Sequence, residues 1–484
     1  MTTMDSSSSS DIERLRDAID CAWEEARKFG LDPFPTHFEL VPASIMYEFA
    51  SYGLPGRFSH WTHGKAYYRQ KMQYDLGLSK IYEMVVNTNP SYAFLMEMNN
   101  LLQNTFVAAH VFGHTDFFKN NAYFQHTSRR MIDKASVHAE RIAKYEFDHG
   151  KAEVERLLDA ALSIQEHVDY NLFLHDNEPD KEDEKPKETT SEYDDLWGLD
   201  KKARQAEEER SARPGKPPKF PEKPEKDIML FLIQHAPHLQ PWQRDLLEIV
   251  RTEMLYFVPQ MQTKIMNEGW ASIWHSRIMR RLADLGIISD PEVVEFAQLH
   301  SSVLSPSRTS LNPYYLGFKM LEDIERRWDN PTQEERERLG RKPGMGKQKI
   351  FEVREMENDV SFLRNYLTED LIKDLDLYLY KKEGDEWVIV EKNWQKVRDG
   401  IVASMTNFGN PYLVIDNGDY RGNRELYMKH LYEGQELDLV YAEKTLQNVY
   451  LLWGRPVHLE TVYDGKRILL TYDGERNSKS SLEK

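Results

Sequence analysis

Residues 107–121 read VAAHVFGHTDFFKNN, with His110 and His114 four apart in an apolar run. On a helix such a pair shares one face, so both imidazoles project together as two ligands of a metal ion would. Zinc hydrolases with this spacing place a glutamate directly after the first histidine as general base. Val111 stands there instead. Three readings are open from this stretch: a metal site, a hydrolase without its usual base, or a hydrogen-bonded pair of core histidines.

A second stretch, IMNEGWASIWHSRIM at 265–279, answers the first. Glu268 and His275 are two helical turns apart and share a face, with Ser272 between them. Ile265, Met266, Trp270, Ile273, Trp274, Ile278 and Met279 predict a helix buried on most sides. A carboxylate and an imidazole inside such a helix need partners, because an unpaired buried charge is costly. Together, His110, His114, Glu268 and His275 form a candidate shell for a divalent metal ion, zinc first, with iron or manganese as alternatives. NEGWA also resembles the segment of gluzincin aminopeptidases whose glutamate is the third zinc ligand, although there it follows the histidine pair far more closely. The competing reading is a buried Glu–His ion pair without metal.

With Val111 in place of the usual glutamate, a base for metal-bound water has to come from elsewhere. Glu83, Glu97 and Glu253 are the candidates. In GRFSHWTHGKAYYRQK, Arg57, His60 and Lys65 interleave with aromatics, which suits a groove for a carbohydrate, peptide or anionic ligand. An aromatic packing layer explains the same pattern. No Walker A loop, Gly-x-Gly-x-x-Gly fingerprint or Gly-x-Ser-x-Gly elbow is present, which argues against nucleotide hydrolysis, Rossmann redox chemistry and α/β-hydrolase chemistry.

The 484 residues are 40% hydrophobic and 30% charged, with a net charge of -17. This acidic balance argues against non-specific nucleic-acid binding or attraction to anionic membranes. Cys21 is the single cysteine, so neither an internal disulfide nor a cysteine zinc site can form. No signal peptide or membrane span is legible, and a cytoplasmic protein is expected.

These residues need elements to hold them. The fold class expected is α+β: a mainly helical N-terminal body followed by a smaller C-terminal α+β domain with a mostly antiparallel sheet. Residues 1–10 read as a disordered leader, with Ser10 or Asp11 capping the first helix. Residues 11–175 read as the first part of the body, holding an aromatic layer and the histidine pair. Within it, helical patterning is expected near 91–112, 114–149 with breaks, and 151–168, after a β-prone stretch ended by Asn89–Pro90. Residues 176–226, charged and rich in proline, read as a linker. Residues 227–372 read as the second part of the body. Residues 373–476 read as the C-terminal domain, its strands bounded by Asn-Gly and Asp-Gly turns, and 477–484 as a tail.

Longer segments carry a more specific signal. The run from GLPGRFSHWTHGKAYYRQK through VAAHVFGHTDFFKNNAYF resembles the SpoVR-like family, named for stage V sporulation protein R. So do EYDDLW, PWQRDLLEIVRTEMLYFVPQMQTKIMNEGWASIWHSRIM, LNPYYLGFKMLEDIERRWD, DVSFLRNYLTEDL and HLYEGQELDLVYAEKTLQNVYLLWGRPVHLET. His60, Glu83, Glu97, His110, His114, Glu268 and His275 match the family pattern. The resemblance implies a role in making the peptidoglycan cortex of bacterial endospores. Two hypotheses follow. One is a metal-dependent protein of cortex formation, with hydrolysis as its first chemistry and oxidation as its second; the other is a non-enzymatic scaffold or regulator that binds an as yet unknown protein partner.

Overall fold

The computed structural model describes residues 6–75, 83–171, 220–306, 310–384 and 386–482. It divides into two compact units, one of residues 1–150 with 255–410 and the other of 151–254 with 411–484. The fold class is α+β, as expected, but the chain enters the second unit twice. The sequence boundaries at 176, 227 and 373 differ from this division. Helical and strand periodicity mark elements, whereas units are set by which elements pack together.

In the first unit, α1 (Ser6–Lys28) starts inside the serine run, upstream of the expected cap at Ser10 or Asp11. Then come β1 (Thr36–Val41), α2 (Ala43–Tyr52) and α3 (Trp61–Asp75), so the aromatic stretch is broken into short regular elements. β2 (Glu83–Val86) and β3 (Ser91–Met96) flank the Asn89–Pro90 turn. The helix expected from residue 91 therefore starts later, because SYAFLM is a short apolar run whose length suits a strand. β3 is central, with β1 parallel on one side and β2 antiparallel on the other.

The next helix, α4 (Leu101–Asn120), is continuous through Gly113. Asn100 and Gln103 close a reciprocal capping box at its start. Nearly all of it is buried from Leu102 to Phe118, as a helix apolar all round must be. α5 (Met131–His149) follows it in this unit.

The second unit opens with α6 (Lys151–Leu162) and continues through α7 (Ile228–His235) into α8 (Pro241–Gln262), whose last turns belong to the first unit. Back in the first unit, α9 (Lys264–Asp284) starts where the Asp359 carboxylate accepts the Ile265 and Met266 N–H groups at 2.9 Å each. Burial pushes the Asp359 carboxyl up to about 7. α10 (Asp290–Val303) and α11 (Pro313–Asp329) follow, the latter capped by Asn312.

α9 lies in the middle of this unit, packed on α4 and on α11. Both contacts are backbone-close. A Cβ on Gly113 would stand 2.6 Å from the Ala271 Cα, and Cβ atoms on Gly269 and Gly317 would each collide with the facing backbone. The rotation of α4 against α9 is fixed by buried Asp116, which accepts from the Trp270 indole at 2.8 Å and from the Asp32 N–H at 2.7 Å. Further helices, α12 (Gln333–Leu339) to α15 (Glu369–Asp374), are followed by the hairpin β4 (Leu379–Glu383) and β5 (Glu386–Glu391) and by α16 (Trp394–Met405). This hairpin and α16 belong to the first unit, not to a C-terminal domain starting at 373.

The second unit carries a five-stranded sheet in the order β10-β9-β8-β7-β6. Its strands are β6 (Leu413–Tyr420), β7 (Glu425–His430), β8 (Val457–Tyr463), β9 (Lys466–Tyr472) and β10 (Asn477–Ser481). Only β7 and β8 are parallel, and α17 (Leu439–Trp453) supplies the crossover that parallel neighbours require. Asp464 and Gly465 both have positive φ in the tight turn between β8 and β9, the turn that the Asp-Gly pair predicts. Two expectations are corrected here. Residues 477–481 form a strand, not a tail, and Glu225 at the end of the expected linker bridges to Ile415. The rest of that linker, 172–219, lies outside the described residues.

The glycine contacts yield a stability test. Gly269→Ala should destabilise the protein by about 1–3 kcal/mol through overpacking against α11. Gly64→Ala, on an open face of α3, should be neutral or slightly stabilising. Urea midpoints of the two variants against the unsubstituted chain check this.

Candidate metal centre

Three elements converge on one point. α4 brings His110 and His114, buried to 3% and 4% exposure; α9 brings Glu268; and the first residue of β2 brings Glu83. The Glu268 Oε2 is 3.4 Å from both the His110 Nε2 and the His114 Nε2. The Glu83 Oε1 is 3.5 Å from the His110 Nε2 and 3.9 Å from the His114 Nε2. Glu83, His110 and His114 each offer a ligand atom within 4.8 Å of the others. For an ion held about 2.1 Å from each ligand, neighbouring ligands of a tetrahedron lie about 3.4 Å apart. The observed separations have that size.

The polar atoms at the centre are poorly served by protein alone. The buried His110 Nε2 and Glu268 Oε2 meet each other and their neighbours only as loose ion pairs of 3.4–3.5 Å, and the Ser272 hydroxyl on the same face of α9 is buried without a hydrogen-bond partner. By contrast, the outward nitrogens are satisfied. The His114 Nδ1 bonds the Asn267 Oδ1 at 2.9 Å, and the His110 Nδ1 bonds the His275 Nδ1 at 2.8 Å. His275 in turn bonds the His300 Nδ1 through its Nε2 at 2.8 Å. The Tyr314 ring stacks on His110 from α11.

Electrostatics follow from this packing. Burial alone lowers His114, but the charges of Glu268 and Glu83 and the bond to Asn267 outweigh it and raise the imidazole to about 9. Burial alone raises Glu268, yet the His114 and His110 imidazoles hold it well below the usual carboxylate range. His275 is pulled well below the ordinary imidazole value by burial and by its histidine neighbours. Burial, then Arg280, takes His300 down to about 4. Burial and the charges of Glu268 and Glu83 push the Tyr314 phenol above its usual value.

His110, His114 and Glu268 thus meet, and of the three candidate bases only Glu83 joins them. Glu97 is exposed in the turn after β3, and Glu253 is buried in the second unit. His275 stands behind His110 with both ring nitrogens engaged, not at the convergence point. With its Nδ1 on His110 and its Nε2 on His300, the ring has no nitrogen left to offer an ion. Arg57 bonds Ser136 at 2.9 Å, His60 is buried and bonds Thr62 at 2.7 Å, and Lys65 is exposed on α3. Sequence reasoning missed Asn267, His300 and Tyr314. Asn267, next to Glu268, and Tyr314, in the Asn-Pro-Tyr-Tyr start of α11, carried the available signals; nothing around His300 marked it.

The chain belongs to the SpoVR-like family. The family model described as SpoVR like protein matches residues 9–410, and that of the SpoVR-like C-terminal domain matches 411–464. The junction between the two matches falls where the chain passes for good into the second compact unit. The family is associated with sporulation. The chain is also similar to the uncharacterized protein YcgB of Escherichia coli (strain K12), 30% identical over 502 residues that cover 95% of this chain and 96% of that one. No solved structure matches. No helix among the described residues is long and apolar enough to cross a membrane.

The shifted pair predicts a pH profile for chelator-treated protein. His114, raised from 6.5 to about 9, contributes stability that is full below pH 6.5 and is lost as pH rises through about 9. Glu268, depressed from 4.5, contributes stability that is present above pH 4.5 and is lost on acidification. The gap in urea midpoint between the unsubstituted protein and His114→Gln should therefore narrow from pH 6.5 to pH 10.

Proposed function

We propose that this protein acts in spore cortex formation through a divalent metal ion held by His110, His114, Glu268 and Glu83. One observation carries the reading: the His110 Nε2 and the His114 Nε2 each lie 3.4–3.9 Å from both the Glu268 Oε2 and the Glu83 Oε1, which is ligand-to-ligand spacing. Two imidazoles and two carboxylates suit zinc, with iron or manganese as alternatives. Such an ion supplies Lewis acidity and an activated water, so the chemistry proposed is hydrolysis in the cytoplasm of the sporulating cell.

The chain's own groups divide the remaining work. Val111 is fully buried in the α4 core and offers no base. Glu83 lies at the rim of the centre, at the start of a strand rather than within a helix, and is the carboxylate able to exchange ligation for proton transfer. Asn267 orients His114, and the Tyr314 phenol lies against Glu268.

A second reading has its own support. Glu268 and His114 compensate each other's charge, so the cluster can serve as an internal ion pair in a scaffold or regulator that binds a protein partner. Elemental analysis of untagged protein separates the two. The metal reading expects one divalent ion per chain, lost in His110→Ala and Glu268→Ala variants that keep their helical circular dichroism. Metal-free protein, with folded variants that still support cortex formation, would establish the ion-pair reading instead.

A further inference from the structure

The three imidazoles of His110, His275 and His300 form a line. The His110 Nδ1 and the His275 Nδ1 are 2.8 Å apart, as are the His275 Nε2 and the His300 Nδ1. The line starts at the buried centre on α4, crosses α9 and ends on α10 at His300, which is part-exposed. Phe106 packs against the middle ring at 4.4 Å between centroids, and Phe296 and Phe318 flank the last. Neither ring nitrogen of His275 bonds to a carboxylate; each is matched to another imidazole.

A hydrogen bond between two ring nitrogens needs one proton, and a neutral imidazole has one donor and one acceptor. Three neutral rings joined in this way therefore have only two proton arrangements, and all three rings change together. In one, the His110 Nδ1–H donates to the His275 Nδ1, the His275 Nε2–H donates to the His300 Nδ1, and the His110 Nε2 is bare. In the other, the His300 Nδ1–H donates to the His275 Nε2, the His275 Nδ1–H donates to the His110 Nδ1, and the His110 Nε2 carries a proton. Only the first leaves a lone pair on the nitrogen that faces Glu268 and Glu83. Passing from the second to the first releases a proton from the His110 Nε2 and takes one up at the His300 Nε2, with no net change.

We propose that His275 and His300 are positioning residues for the metal centre, holding His110 in the tautomer that presents a bare Nε2 to the ion. The inference rests on the metal reading above and adds residues to it that bind no ion themselves. His300, 190 residues from His110 in sequence, thereby tunes the affinity of a site it does not touch. Groups that orient metal-bound histidines typically alter affinity by about 10- to 100-fold when removed.

Zinc affinity is measured by competition with a chromogenic chelator for the unsubstituted protein, His300→Leu and His300→Gln. Being part-exposed, His300 is the member of the line whose replacement is best tolerated. His300→Leu should weaken zinc binding about 10-fold or more while zinc still binds one per chain at saturation. His300→Gln, whose side-chain oxygen can accept from the His275 Nε2–H, should recover most of that loss. Ring nitrogen-15 spectra of histidine-labelled, zinc-loaded protein should show His110 protonated at Nδ1, and His275 and His300 at Nε2. Affinity of His300→Leu within twofold of the unsubstituted chain, or a zinc-loaded His275 protonated at Nδ1, would overturn the inference and leave the metal reading intact. Failure of the unsubstituted chain to bind zinc, iron(II) or manganese(II) in the same competition would overturn both.

Discussion

The first unit is organised around one costly group, the Glu268 carboxylate in the middle of a buried helix. A charge in that position has to be matched by neighbours, and α9 cannot match it with its own apolar residues. The match comes from His110 and His114 on α4, at 3.4 Å each. To deliver those imidazoles, α4 has to approach α9 at backbone distance, which Gly113 opposite Ala271 allows. On the other side, Gly269 opposite Gly317 brings α11 and its Tyr314 equally close. Small residues at the crossings and polar groups at the centre are thus two parts of one arrangement.

Around that centre, the protein spends its buried hydrogen bonds on orientation. Asn267 faces one side of His114, and the line of His275 and His300 faces the outer nitrogen of His110. Asp116 ties α4 to Trp270, and Asp359 caps the start of α9. Each of these fixes a helix rotation or a ring orientation. What they leave unpaired are the inward-facing atoms, where an ion would meet its ligands.

The family relation and the geometry speak to different levels. Membership in a sporulation-associated family covers both compact units, and similarity to YcgB of Escherichia coli runs along nearly the whole chain. The centre itself is built wholly within the first unit. The second unit, with its sheet and single parallel crossover, contributes none of the four converging residues.

Local chemistry was legible without a structure. Histidines four apart must share a helix face, a Glu268 carboxylate inside IMNEGWASIWH must be compensated, and Asp464–Gly465 must turn a hairpin. Those inferences use spacing and propensity over a few residues, which is what a sequence encodes directly. Helix and strand were confused only where a short apolar run, SYAFLM, fits either period. Tertiary packing decided the rest. It set Glu83 beside the histidines, put Glu97 in solvent and Glu253 in the other unit, and moved His275 from the ligand set to the line behind His110. Such outcomes depend on helix rotation and crossing, and those are determined by contacts between residues far apart in the chain, which spacing alone does not encode.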